Sequence, residues 1–207
     1  MIYLTFVFLI LSSVAFSKDD RRTDIDYKVT EGYVTNTQKA QFNARLQELP
    51  NIKSILEIGL NAGHSAENFF QNCPNLECFV SVDINLHPYT QHALEKLQAR
   101  YQERFIPVIG DSTLKIPEYA VQHPKKKFDL IYIDGNHDYS YCLRDILNCF
   151  FVAHEETIVW IDDYNCIGAA EAINHCADLR VLEILKVHSS DISDRDERCW
   201  VEARYIK

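Results

Sequence analysis

Positive charge is scarce in this sequence. Its 207 residues include 21 Lys and Arg against 30 Asp and Glu, which gives a formal net charge of −9. Because proteins that bind nucleic acid need an excess of Lys and Arg to neutralise phosphates, this balance excludes nucleic acid as an expected partner. The one basic run, at residues 125–127, is interpreted as a solvated stretch before a buried strand.

The cysteines lack the spacing of a metal or redox site. None of the seven forms a C-x-x-C pair, and no zinc ligand pattern is present. Several lie in segments with apolar periodicity, which favours buried free thiols. If the chain is exported, a disulfide between Cys73 and Cys78 is the alternative. The cysteines therefore do not decide the cellular compartment.

The N-terminus lacks a basic residue before its apolar run. Residues 2–11 are almost wholly apolar, small residues follow, and charged residues begin at Lys18. This pattern predicts a signal peptide over residues 1–17, with the mature protein exported to the periplasm, a secretory lumen or the extracellular space and free of the membrane. Because the run is too short to span a bilayer comfortably, an uncleaved N-terminal membrane anchor is only the alternative.

The remaining sequence lacks repeats and low-complexity stretches, and its composition fits one globular domain. Hydrophobic residues make up 47% of the chain, which is enough for a sizeable core. We interpret residues 18–50 as a polar lead-in followed by a helix that Pro50 ends. The main domain is predicted over residues 51–207.

Short β-rich runs alternate with helical patterns from residue 53 onwards. Nearly continuous apolar runs are typical of strands buried on both faces, so the alternation predicts a doubly wound α/β sheet that is mostly parallel. The last two runs have no helical pattern between them, and we therefore expect an antiparallel C-terminal pair. The seven predicted strands are residues 53–58, 78–83, 104–109, 128–133, 156–161, 180–187 and 199–206.

A glycine turn follows the first predicted strand, at Gly59 and Gly63, and the second strand ends at Asp83. Glycines let the backbone approach a ligand closely, and the acid can accept hydrogen bonds from ribose hydroxyls. Asn61 stands where a dinucleotide motif has its second glycine, so a cofactor with ribose but no phosphate fits better. Asn61 and the antiparallel pair both count against the alternative of an NAD-type oxidoreductase.

Every predicted parallel strand ends in an acidic group. Any one of them could be a helix cap. The carboxyl ends of parallel strands meet at one edge of a sheet, where unpaired carboxylates repel one another and a cation or cationic ligand would relieve the repulsion. The acids are Glu57, Asp83, Asp111, Asp134 and the pair Asp162 and Asp163.

The order of these motifs resembles class I S-adenosylmethionine-dependent methyltransferases, especially the cation-dependent O-methyltransferases related to catechol O-methyltransferase. ILEIGLNAGHS resembles their first glycine motif, and SVDI resembles their ribose-binding motif. FDLIYIDGNHDY and IVWIDDY resemble the segments that hold the metal, and the match covers roughly residues 35–206. The resemblance implies a single Rossmann-like domain, monomeric or homodimeric, that O-methylates a small hydroxylated acceptor.

The resemblance also assigns cofactor-binding residues by position. Gly59 and Gly63 would hold the methionine part of S-adenosylmethionine, with Glu57 anchoring the turn. Ser65 would lie at the helix start, where backbone amides favour the cofactor carboxylate. The other cofactor-binding positions are Asp83 at the ribose, Asp111 and Ser112 near the adenine, and Asp134.

The catalytic and metal positions follow in the same way. Asp134, Asp162 and Asp163 would hold Mg²⁺, which prefers carboxylate oxygens. Many relatives have Asn at the third position, and Asp163 has the alternative of capping the next helix. Asp134 and His137 are the catalytic candidates. His137 falls where relatives carry a basic Lys, and it is interpreted as a general base or, alternatively, as a structural partner in a loop.

A different class of function also fits the predicted signal peptide. S-adenosylmethionine is made in the cytoplasm, so an exported enzyme would need a supply of it. A non-catalytic S-adenosylmethionine-binding module that retains the fold is therefore a further hypothesis.

Overall fold

The computed structural model describes residues 34–189 and 198–207. The predicted signal peptide over residues 1–17 and most of the polar lead-in lie outside the described residues. Within the described ranges, no helix combines the length and the apolar character needed to cross a membrane.

Seven strands in the described chain form one sheet with the order β3-β2-β1-β4-β5-β7-β6. Strands β1 to β5 are parallel, whereas β7 runs antiparallel to both β5 and β6. The predicted fold class is confirmed. The strands are β1 (Ser54–Ile58), β2 (Cys78–Asp83), β3 (Phe105–Ile109), β4 (Phe128–Ile133), β5 (Ala153–Ile161), β6 (Leu182–Ser189) and β7 (Cys199–Tyr205).

Helices cover both faces of this sheet. The Thr35 hydroxyl caps the first helix by accepting a hydrogen bond from the backbone N–H of Gln38 at 3.1 Å. This helix ends before Pro50, as predicted. The helices are α1 (Asn36–Gln47), α2 (His64–Asn72), α3 (Pro88–Tyr101), α4 (Ser112–Gln122), α5 (Tyr139–Cys149) and α6 (Ile167–Asp178).

Two apolar clusters form the core, one with residues of α1, α2 and α3 and the other with residues of α4, α5 and α6. In the first cluster the Phe42 ring of α1 lies 4.9 Å from the rings of both Trp160 and Trp200. These aromatic contacts hold α1 against the sheet. The docking matters for function because it brings the start of α1 to the carboxyl edge of the strands.

The core also tests two details of the sequence predictions. In the sequence, Leu143, Ile146, Leu147 and Phe150 form a helical apolar stripe, but Leu147 is 39% exposed because α5 turns Ile146 and Cys149 inward instead. All seven cysteines are free thiols, so the alternative disulfide between Cys73 and Cys78 is not formed.

Candidate active site

A cleft of about 640 Å³ opens at the carboxyl edge of the parallel strands. It lies where the strand order reverses between β1 and β4, which is where open α/β sheets bind their ligands. Of the predicted site residues, most line this cleft, whereas Glu57, Gly63 and Ser65 do not. Those that line it are Gly59, Asp83, Asp111, Ser112, Asp134, His137, Asp162 and Asp163.

Asp83 organises the glycine turn at one end of the cleft. Its Oδ2 accepts hydrogen bonds from the backbone N–H groups of Leu60 (2.8 Å) and Asn61 (2.9 Å), and its Oδ1 accepts one from Asn85 (2.6 Å). Since a carboxylate oxygen has two lone pairs, Oδ1 keeps one acceptor position for a ligand hydroxyl. The carboxylate therefore shapes the turn and remains able to bind a ribose.

The two glycines of the turn are required by packing within the protein. A Cβ at position 59 would lie 1.9 Å from the carbonyl oxygen of Asp134, and Gly59 has a φ of +90°. A Cβ at Gly63, where φ is +78°, would press on Ala93 and Leu97 of α3. Close approach of strand loops and helices explains both glycines.

Asp111 combines two roles that the sequence left as alternatives. It is the N-cap of α4, where its Oδ1 accepts hydrogen bonds from the Thr113 backbone N–H (2.9 Å) and hydroxyl (2.7 Å). Asp111 and Ser112 both line the cleft. The cap thus fixes the carboxylate at the position where the resemblance places the adenine.

Glu57 lies beneath the turn and is fully buried. The Ser65 hydroxyl donates to its Oε1 at 2.5 Å, and the Ser81 hydroxyl donates to its Oε2 at 2.6 Å. Burial raises the pKa of Glu57 to about 7, with the nearby Asp83 carboxylate acting in the same direction. Glu57 and Ser65 thus join β1, β2 and α2 below the cleft.

The other end of the cleft holds a chain of side-chain contacts that begins at Asp134. The Tyr132 hydroxyl lies 3.1 Å from Asp134 Oδ2 and 2.7 Å from Asp162 Oδ2, and Gln38 Nε2 donates to the same Asp162 oxygen at 2.6 Å. Burial and the neighbouring Asp162 and Asp163 carboxylates raise the pKa of Asp134 well above its ordinary value. The Tyr132 hydroxyl has a single proton and can donate it to only one of these two carboxyl groups. A proton on Asp134 allows Asp134 to donate to the Tyr132 oxygen while Tyr132 donates to Asp162.

The Asp163 carboxylate does not join these contacts and lies against two basic groups instead. Its Oδ2 lies 2.7 Å from His137 Nε2, and its Oδ1 accepts a hydrogen bond from Arg198 at 3.0 Å. Burial alone would raise the pKa of Asp163, but His137 and Arg198 hold it below its ordinary value. The nearby Asp163 carboxylate in turn raises the pKa of His137, against the opposing effect of burial.

The backbone at Asp163 is in the left-handed region, with a φ of +55°. Residues with a Cβ adopt this conformation infrequently, although Asp does so more often than most. Asp163 does not cap the following helix, because α6 begins at Ile167 with Cys166 as its N-cap. The helix-cap alternative for Asp163 is therefore wrong.

The three predicted metal ligands do not converge on one point. Among the described residues, the only group with three metal-binding side-chain atoms within 4.8 Å of one another is His137, Asp163 and Cys166. Asp134 and Asp162 meet at the Tyr132 hydroxyl, whereas Asp163 is held by His137 and Arg198. In this arrangement the carboxylates do not form the predicted three-ligand Mg²⁺ site.

Sequence reasoning missed Gln38, Tyr132, Arg198 and Gly168. The first three bind the acidic side chains directly, as described above. Gly168 acts through shape, because a Cβ there would lie 2.5 Å from the carbonyl oxygen of His137. The glycine after Ile167, at the start of α6, was the only local signal that any of them offered.

Comparison with known proteins identifies the family of this fold. The family described as "Methyltransferase domain" matches residues 56–164, which is more than half of the chain. This segment contains both the glycine turn and all the predicted acids at the strand ends. No curated protein sequence matches the chain.

Solved structures share the fold at low sequence identity. A Klebsiella pneumoniae protein described as an O-methyltransferase is 20% identical, with a TM-score of 0.70 over 86% of this chain and 84% of that one. The O-methyltransferase of Bacillus cereus in complex with S-adenosylhomocysteine is 16% identical, with a TM-score of 0.67 over 86% and 84%. The N-methyltransferase NodS of Bradyrhizobium japonicum is 14% identical, with a TM-score of 0.59 over 84% and 100%. At these identities, the likeness concerns the fold.

Proposed function

The chain belongs to the methyltransferase domain family, and on that premise we propose that it transfers the methyl group of S-adenosylmethionine to a hydroxyl oxygen of a small acceptor. The observation that carries the choice of oxygen is the His137–Asp163 pair in the cleft. A hydroxyl is a weak nucleophile until it loses its proton, and a carboxylate-paired histidine is suited to accept that proton.

The cofactor end of the cleft fits a ligand with ribose hydroxyls. Asn61 Oδ1 and Thr90 Oγ1 belong to residues that line the cleft, and both atoms are buried without a hydrogen-bond partner in the described chain. Buried polar atoms of this kind are costly unless a ligand or water satisfies them. Together with the remaining acceptor position of Asp83, they support binding of the adenosine part of the cofactor.

The two ring nitrogens of His137 can have different roles, one towards Asp163 and one towards the acceptor hydroxyl. When Nε2 carries the proton that Asp163 accepts, Nδ1 is the nitrogen that can receive a proton from the acceptor hydroxyl. The bound cofactor supplies a methyl group on a sulfonium, and an oxygen–methyl bond forms as the sulfur–methyl bond breaks. His137 takes the hydroxyl proton, and Asp163 stabilises the imidazolium. Holding both reactants in line accounts for much of the expected rate.

Assistance by Mg²⁺ at Asp134, Asp162 and Asp163 stays a prediction. Their hard oxygen atoms are chemically suited to the ion. His137 and Arg198 already contact the Asp163 carboxylate, and the proton transfer to His137 does not involve a metal ion. Activity that persists in EDTA and in Asp162→Ala would remove the ion from the reaction.

Calorimetry with S-adenosylhomocysteine tests the cofactor half of the proposal. We expect the purified protein to bind the ligand and Asp83→Ala to weaken binding about tenfold or more, since the turn loses its acceptor as well as the ribose contact. Asp178→Ala, which removes an exposed acid at the end of α6, is the matched control. Absence of binding by the unmodified protein would refute the proposal.

A panel of acceptors tests the chemistry. With isotopically labelled S-adenosylmethionine, we expect label in hydroxylated phenols or sugars and none in amines of matched size. Transfer to amines alone would contradict the choice of oxygen. Transfer to no acceptor by a protein that binds the cofactor would favour the non-catalytic module instead.

Export of the protein is a separate proposal that rests on the sequence of residues 1–17. Mass spectrometry of the protein from its native source should find a mature N-terminus at Lys18. An intact N-terminus in a membrane fraction would support the uncleaved anchor.

A further inference from the structure

A second cavity of about 310 Å³ lies beside the glycine turn. Its walls come from the start of α1, the start of α2 and the middle of α3, all on one face of the sheet. Gly63 lines this cavity and not the cleft, whereas Gly59 lines the cleft and not this cavity. The turn therefore separates the cleft from this second cavity.

Basic side chains from three helices line the second cavity. Lys39 belongs to α1, His64 to α2 and Lys96 to α3. Burial lowers the pKa of His64, and the charges of Lys39 and Lys96 act in the same direction, against the charge of Glu67. Glu67 also lines the cavity, but its carboxylate forms an ion pair with Arg100. The two lysines make the cavity locally positive in a protein whose net charge is −9.

The backbone adds to this positive field. Helix α2 begins at His64, and its N-cap Gly63 offers no side-chain hydrogen bond to the amides of the first turn. Such amides and the positive end of the helix dipole attract anions.

Tyr89 supplies an independent sign of a missing ligand. It lines the cavity and is only 7% exposed, and its hydroxyl has no hydrogen-bond partner among the described residues. A buried hydroxyl normally has a partner, so an oxygen-rich ligand would relieve the cost of leaving it unpaired.

We propose that this second cavity binds the phosphate group of a small molecule. A dianion with several acceptor oxygens matches this lining better than a single carboxylate does, because Lys39, Lys96 and the N-terminus of α2 supply positive charge. Lysine serves as a point charge for phosphate, and the Tyr89 hydroxyl can donate to a phosphate oxygen. The volume accommodates the phosphate together with part of the group that carries it. The site goes beyond the proposed methyl transfer and does not depend on it.

Calorimetry with inorganic phosphate and with phenyl phosphate, in phosphate-free buffer, tests the proposal. We expect Lys39→Gln/Lys96→Gln to weaken binding of the phosphate probe about tenfold or more. The control Lys125→Gln/Lys186→Gln removes the same charge from exposed positions and should change the affinity less than about twofold. Tyr89→Phe, which keeps the ring, should weaken binding several-fold. Tighter binding of phenyl phosphate would identify a phosphate ester as the source, and tighter binding of inorganic phosphate would identify the free ion.

S-adenosylhomocysteine separates this site from the cofactor site. Saturation with it should leave phosphate affinity unchanged, and the Lys39→Gln/Lys96→Gln protein should bind it normally, which also shows that the variant is folded. Competition between the two ligands would mean that the cavity serves the cofactor carboxylate, and the proposal would be overturned. It would equally be overturned if phosphate did not bind, or if both double variants weakened binding alike.

Discussion

The two ends of the cleft hold their acids in different ways. At the cofactor end, Asp83 and Asp111 accept hydrogen bonds from backbone amides, those of the glycine turn and of Asn85 for Asp83 and that of Thr113 for Asp111. At the other end, Asp162 and Asp163 are held largely by side chains from distant parts of the chain, such as Gln38 and Arg198.

This difference indicates which end of the cleft can change its charge and its hydrogen-bond partners during a reaction. Backbone amides cannot lose a proton or swing away, so the cofactor end is fixed by the fold itself. Side chains such as His137 can exchange a proton and change partners, so the charge at the second end can change during a reaction. A pre-organised binding end beside a proton-handling end suits the transfer of a methyl group to a hydroxyl.

Removing the proton acceptor should give the largest effect. We expect His137→Ala to lower kcat about 100-fold or more, the usual contribution of a general base, and to leave S-adenosylhomocysteine affinity within about twofold. His123→Ala, at an exposed position after α4, is the control. Equal losses of kcat and of cofactor affinity would mean that the two ends do not have separate roles.

Moving the loop that carries His137 should give a smaller effect. In Gly168→Ala the new Cβ would meet the His137 carbonyl at 2.5 Å and the Tyr139 backbone nitrogen at 2.7 Å, so the loop must shift. Because a misplacement of this size disturbs alignment, we expect kcat to fall about tenfold, even though alanine favours helices over glycine by about 1 kcal/mol.

Ala170→Gly in the same helix is the matched control for that variant. It should lower thermal stability, through the same propensity difference, without lowering kcat. If Gly168→Ala kept full activity, the position of the His137 loop would not matter for the reaction.

Most of the fold could be predicted from sequence because its signals are local. Apolar runs, breaks at glycine and the spacing of stripes placed all seven strands, although β5 begins at Ala153 rather than at residue 156. The cofactor end was equally accessible, because the glycine turn and the acids at the strand ends can be recognised in the sequence and their partners are backbone amides. What the local pattern could not give was the insertion of β7 between β5 and β6.

The second end of the cleft was less predictable, since its partners are far apart in the chain. Gln38 contacts Asp162 across 124 positions, and nothing in the sequence around Gln38 indicates that this polar residue is buried. Arg198 likewise contacts Asp163 from 35 positions away. The carboxylates could be predicted as a group, but their partners depend on how α1 and β7 pack against the sheet.

Glu57 differs from the other acids of the cofactor end, because side chains and not backbone amides hold its carboxyl group. Its pKa of about 7 in the folded protein compares with 4.5 for an ordinary Glu. The folded protein thus keeps a proton that the unfolded chain releases between these pH values. The free energy of unfolding should therefore fall as pH rises through this window, by on the order of 3 kcal/mol from Glu57, and level off above it.

Glu57→Gln should remove this part of the pH dependence with little effect on function. Glutamine can keep contacts with Ser65 and Ser81 without titrating, so urea unfolding at pH 5, 6 and 7 should show a shallower slope than in the unmodified protein. Buried Asp145, whose pKa is raised to about 6 chiefly by burial, leaves a residual slope in both proteins. Glu77→Gln, at an exposed position, should reproduce the original slope. Because Glu57 does not line the cleft, S-adenosylhomocysteine affinity should stay within about twofold, and a larger loss would place Glu57 in the binding site after all.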